Sequence, residues 1–159
     1  MKTYFDPFAD LVCDSPLIRR RDAAQATLHE WGGKKLRLGH ADCVRMVASH
    51  LRRLGHKVVL PPAGSYRSVK AAKAALAKAG YACLPDALDS FGFERIAPAA
   101  ALVGDIIELP SAIDGLAALT VAVGNGRVIG WCDDGREGVL VMQPHEYVAA
   151  WRVAPAEGE

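Results

Sequence analysis

The chain has 159 residues, with 19 Lys plus Arg against 18 Asp plus Glu and a formal net charge of +1. That balance provides no overall field toward nucleic acid or an anionic membrane, and a hydrophobic share of 51% excludes a disordered chain. The length suits one domain with a core of its own.

In chain order, residues 1–14 read as an irregular N-terminal arm, whose Tyr4, Phe5 and Phe8 suit contact with another surface. Asp6 and Asp10 interrupt this stretch and no apolar run follows Lys2, so it is no signal peptide. Ser15-Pro16 starts a helix, a capping residue followed by proline at the first helical position. Leu17, Arg21, Ala24, Leu28 and Trp31 then recur at helical spacing until Gly32-Gly33. Arg19-Arg20-Arg21 reads as a solvated face of that helix. A second helix is expected from Cys43 to Leu54, with Gly55 as its stop. Its apolar stripe is Val44, Val47, Ala48, Leu51 and Leu54. Lys57 to Leu60 reads as a short extended piece before Pro61-Pro62. Ser68 or Ser65 caps a third helix through Ala79, and Pro85 to Ser90 forms one more short turn of helix.

From about Ala101 the pattern changes to strands: Asp105–Leu109, Leu119–Val123, Arg127–Cys132, Gly138–Met142 and Ala149–Val153. Gly124-Asn125-Gly126 marks a hairpin and Asp133-Asp134-Gly135 a second turn. The expected class is α+β, with N-terminal helices packed on a C-terminal antiparallel β-meander. Residues 15–153 form the single domain and 154–159 a flexible tail. No segment is long and apolar enough for membrane insertion.

The chemistry concentrates at Leu38-Gly39-His40-Ala41-Asp42-Cys43. Asp42 suits a helix N-cap, because its carboxylate accepts from a free N–H of the first turn. The Cys43 sulfur then stands at the positive end of a helix dipole, which favours thiolate. That makes Cys43 the candidate nucleophile; a small buried residue at the edge of a helix stripe is the alternative. His40 approaches from the same loop, and His145, beyond the Gly138–Met142 strand, could reach the same cleft. His50 lies two turns along the helix, too far to act on Cys43. His29 and His56 fall near helix ends and read as surface residues. Cys13, Cys83 and Cys132 read as packing residues. No C-x-x-C pair is present, so neither a metal nor a cofactor is expected.

Four short motifs in order carry a family resemblance: Gly39 with Asp42-Cys43; Gly104-Asp105-Ile106-Ile107-Glu108-Leu109; Val121-Ala122-Val123-Gly124-Asn125-Gly126; and Ala150-Trp151-Arg152-Val153. Over Ser15 to Val153 the chain resembles the papain-like, NlpC-type cell-wall peptidases, especially shortened forms encoded beside phage tail genes. The resemblance implies a papain-like fold and a place at the tip or hub of a phage or prophage tail. The protein would be assembled in the host cytoplasm into the virion, with other tail proteins or peptidoglycan as partners and no nucleic acid. It also implies a histidine opening the strand before the hairpin, near Ala118, and a polar third residue near Gly130 or Trp131; neither is present. The expectation is therefore a degenerate, structural member of the group. The alternative is an active cysteine peptidase cleaving peptidoglycan peptides during DNA entry, with Cys43 as nucleophile and His40 or His145 as base. A third reading is a cytoplasmic binding module without a phage link.

Overall fold

The structure, a computed structural model, describes residues 15–113, 116–132 and 136–157. The N-terminal arm and the Asp133-Asp134-Gly135 turn lie outside the described residues. Among the described residues four α-helices come first: α1 (Pro16–Trp31), α2 (Cys43–Arg53), α3 (Val69–Lys78) and α4 (Leu84–Ser90). Six strands follow: β1 (Glu94–Ile96), β2 (Ile106–Leu109), β3 (Ala118–Gly124), β4 (Arg127–Gly130), β5 (Leu140–Met142) and β6 (Ala149–Arg152). They form one antiparallel sheet in the order β1-β6-β2-β3-β4-β5. The α+β class and the order of helices before sheet are as expected.

Local chemistry explains most boundaries. Pro16 opens α1 directly after Ser15. Ser68 caps α3 by accepting from the Ala71 N–H. The β3–β4 hairpin turns through Asn125 and Gly126, both at positive φ (54° and 74°), which is why an Asn-Gly pair stands there.

Period-two alternation sorts the sheet into two faces. Ile106, Leu119, Val121, Ile129 and Trp151 point to the helices and meet Met46, Val47, Leu51 and Leu54 of α2 and its end. Ile107, Ala122, Val128, Met142 and Ala150 form a second apolar cluster on the opposite face. Paired positions keep this order: Ile106 lies opposite both Val121 and Trp151, and Ile107 opposite Ala150.

One strand differs from the sequence reading. β1 was not expected: Glu94 and Arg95 give it no apolar alternation, and it forms by pairing Arg95 with Trp151 on β6. Lys57 to Leu60 joins no ladder among the described residues; the Arg52 guanidinium holds it instead, donating twice to the Val58 carbonyl at 3.1 and 2.7 Å. Beyond β6 the chain returns to the end of α2, where the Ala156 N–H donates to Leu54 O at 2.7 Å.

Candidate functional site

The loop before α2 is built around a close approach. Gly39 has φ +82°, and a Cβ there would lie 2.1 Å from the Tyr66 carbonyl oxygen, so only glycine fits. This brings the Gly39 N–H to Asp42 Oδ2 at 2.9 Å. The same oxygen accepts from the Tyr66 hydroxyl at 2.8 Å, while Oδ1 accepts from the Arg45 N–H at 2.9 Å. Asp42 is buried and its carboxylate is taken up by capping the helix and pinning the loop. Burial and that carboxylate together push the Tyr66 hydroxyl above its ordinary range, so it remains a donor.

Cys43 opens α2 beside the start of β3. Its thiol faces the Ala117 carbonyl oxygen at 3.8 Å. The helix start alone favours thiolate, but in the folded chain burial dominates and pushes the thiol up to about 11. The neighbouring Asp42 carboxylate pushes the same way, against N–H groups of Leu119, Val44 and Cys43 itself. Burial and the Asp42 carboxylate thus oppose the thiolate that the helix start favours.

The strand opposite carries no base. Ala117 and Leu119 pack into the helix-side core, and alternation turns Ala118 to the other face. The Cys43 sulfur thus meets the backbone carbonyl of Ala117, one residue before the position counted from the hairpin. At the expected third position, Gly130 lies against Thr120, and Trp131 packs edge-on against Trp31 while its indole donates to Lys34 O at 2.9 Å.

Among the described residues, no hydrogen bond joins a histidine to Cys43. His40 is half-buried with its ring against Gly64, and its Nε2 is enclosed without a hydrogen-bond partner. His145 is exposed in the β5–β6 connection. His50 is fully buried: its Nδ1 pairs with Thr27 Oγ1 at 3.0 Å and its Nε2 with the Gly104 carbonyl at 2.9 Å. Burial lowers its pKa, so the neutral ring is the stable form. His56 meets Phe93 edge-on and pairs with Ala154 O.

Gly104-Asp105, the second motif, is a structural node. Asp105 is buried in an ion pair with Arg20 of α1, and it accepts from the Leu102 and Val153 N–H groups at 2.8 and 2.9 Å. Arg20 also donates to Val103 O and Val153 O, so this arginine of the expected solvated run lies inside the core.

A family described as a domain of unknown function, DUF6950, matches residues 17–153, from the first turn of α1 to just past β6. The chain belongs to that family. No curated protein matches it. The matched residues of this DUF6950 domain contain the loop, Cys43, β3 and the Arg20–Asp105 pair together. Among the described residues, no group of three or more His, Cys, Asp or Glu side chains is arranged to hold a metal, and no helix is long and apolar enough to cross a membrane.

The DUF6950 site also contains a feature the sequence reading did not identify. Cys43 lies on the wall of a cavity of about 390 Å³ between α2, α3, α4 and the segment 58–61. Its signal was the spacing of Ala72, Ala75 and Ala79, small side chains beside Leu76, which packs against the core.

Proposed function

We propose that this chain is a papain-like, NlpC-type domain that keeps the architecture of a thiol peptidase without its chemistry. On this reading it serves at a phage or prophage tail tip or hub, in tail assembly or in contact with peptidoglycan. One observation supports the loss of chemistry: the Cys43 thiol faces the Ala117 backbone carbonyl, and no histidine is hydrogen-bonded to it among the described residues.

With the thiol at about 11, roughly one molecule in ten thousand carries a thiolate at pH 7. Helix-start cysteines that act as nucleophiles lie far lower, near or below neutrality. No imidazole is bonded to the sulfur to take its proton or return it to a leaving amine. Such general acid–base help is worth about 10²–10⁴-fold. The tail assignment rests on the order of the four motifs and their resemblance to shortened, tail-encoded forms. Neighbouring tail proteins are the partners it implies.

Two measurements test the two halves of this reading. Purified peptidoglycan incubated with wild type and with Cys43→Ala should yield the same fragment profile, with no stem peptides released. Release by wild type alone would restore the cysteine peptidase, with His40 or His145 as the base to examine. Labelled antibody against the chain should mark the tail tip of purified particles; unlabelled particles and chain left in the soluble fraction would remove the tail assignment.

A further inference from the structure

The near-neutral total charge is the sum of two unlike halves. Residues 32–80 hold 11 Lys and Arg and 1 acid, Asp42, whereas residues 81–159 hold 4 Lys and Arg against 12 Asp and Glu. Asp42 is buried and its oxygens are occupied by two backbone N–H groups and the Tyr66 hydroxyl. A field depends on where charges lie as well as on their total. The loop before α2, α2 itself and α3 therefore make one end of the molecule positive.

Most of these cations are not neutralised. Lys35 pairs with Glu137 and Arg53 with Glu30, and Lys34 stands over the Trp31 ring and acts on Glu30. The other eight form no ion pair among the described residues. Two of the eight are held in place by groups that keep their charge intact. Arg45 donates to the Pro61 and Pro62 carbonyls at 2.7 and 3.2 Å and lies 5.7 Å from the centre of the Tyr66 ring. Arg52, two turns further along the same side of α2, donates to the Val58 carbonyl. Both border the ribbon 57–67, which begins and ends with the exposed Lys57 and Arg67. α3 follows directly. Its Ala72, Ala75 and Leu76 line the cavity beside α2. At about 100° per residue, Lys70 falls on the opposite side, with Lys73 and Lys78 on its flanks. All three lysines are exposed, with only Ala74 and Ala77 between them on that side.

This chemistry selects its partner by charge density. Single carboxylates on a protein surface, each matched to one exposed cation, contribute little and are screened by salt. A nucleic-acid duplex carries about one charge per 1.7 Å of axis and sheds condensed counterions as each cation docks, so the gain grows with the number of contacts. Single strands need aromatic rings for their bases, and the only Phe, Trp or Tyr in residues 32–80 is Tyr66, which is buried. Neither Asn nor Gln occurs there to read a base edge. The alanines between the α3 lysines offer nothing to insert among lipid chains.

We propose that the surface formed by α2, the ribbon 57–67 and α3 binds the phosphate backbone of a nucleic-acid duplex without regard to sequence. The proposal is independent of the peptidase ancestry and of the tail reading.

The full chain is titrated into a labelled duplex of about 24 base pairs, as DNA and as RNA, and binding is read by fluorescence anisotropy. At least one duplex should bind at about 50 mM salt, and four docked cations would weaken that binding about 100-fold by about 200 mM. The triple variant Lys70→Ala, Lys73→Ala, Lys78→Ala keeps good helix formers at exposed positions, so its fold is retained. It should bind at least about tenfold more weakly, with a salt slope shallower by about 2–3. Arg19→Ala, Arg21→Ala, Arg127→Ala removes the same charge outside residues 32–80 and should leave the slope unchanged. Failure of both duplexes to bind at about 50 mM salt, or equal losses in the two triple variants, would overturn the proposal. So would polyglutamate binding as tightly as duplex, or a low-salt dimer that duplex does not dissociate. An acidic protein surface, in the second case the acidic half of another copy, would then be the partner.

Discussion

At the scale of a residue, the outcome at Cys43 shows which of two opposing effects is larger. A helix N-terminus contributes at most a partial positive charge within the first turn. Removal from water acts on the whole thiolate charge, and the nearby Asp42 carboxylate adds to it. The expected behaviour follows. Alkylation of Cys43 by iodoacetamide, followed by peptide mass, should rise about tenfold per pH unit through pH 9 and level off only near 11. A plateau reached near pH 7 would mean an activated thiol. Ala117→His puts an imidazole just before β3, against the core that α2 packs on. A positioned imidazole holds a cysteine sulfur as thiolate near neutrality, so alkylation at pH 7 should increase by at least about tenfold. A folded Ala117→His with the wild-type rate would show that the strand position facing the sulfur is a different one.

At the scale of elements, the legible features were those encoded within a few residues. Ser15-Pro16, Ser68 and Asn125-Gly126 are local signals, and helix starts and a hairpin stand at all three. β1 was not legible, because Glu94 and Arg95 form a strand only when β6 is beside them. The cavity was not legible either, since a gap depends on how far α3 stands from α2 and not on the character of either helix. His50 was read only as too distant from Cys43. Its real role, joining α1 through Thr27 to the turn before β2 through Gly104, spans 54 residues of sequence in one bond. That role has a pH signature. Its folded pKa lies below the ordinary 6.5, so below that value the unfolded chain takes up the proton first. The stability associated with the neutral ring is fully present above about 6.5 and is lost as pH falls toward the depressed folded value. Urea midpoints measured from pH 7.5 to 5 should fall for the wild type and fall less for His50→Gln, the ranges being set by the unfolded histidine near 6.5. Parallel curves would place the titration on another histidine.

At the scale of the whole molecule, the fold closes on Arg20 and Asp105. One guanidinium from the first helix and one carboxylate from the start of β2 are buried together, 4% and 0% exposed, and the half-buried Arg152 guanidinium approaches the second carboxylate oxygen at 3.2 Å. Around them converge the Leu102 N–H, the Val103 carbonyl, and both the N–H and the carbonyl of Val153 at the end of β6. Beginning, middle and end of the matched family region therefore meet at one carboxylate, paired with Arg20 85 residues away and with Arg152 of β6. Such a pair is a poor source of net stability, because both ions lose hydration, but breaking it leaves a charge in the core. Asp105→Asn keeps the shape and removes the counter-charge. It should lower unfolding free energy by about 3–5 kcal/mol, a large part of the 5–15 kcal/mol typical of a domain. Adding Arg20→Met removes the buried cation and leaves Arg152, which reaches solvent, so the double variant should recover at least about 1 kcal/mol over Asp105→Asn alone. Urea unfolding of the three proteins at pH 7 measures both quantities. If the double variant were less stable than the single one by the full cost of losing Arg20, the two losses would be additive. The guanidinium would then hold the Val103 and Val153 carbonyls independently of the carboxylate, and closure of the fold would depend on those backbone contacts, with the ion pair incidental.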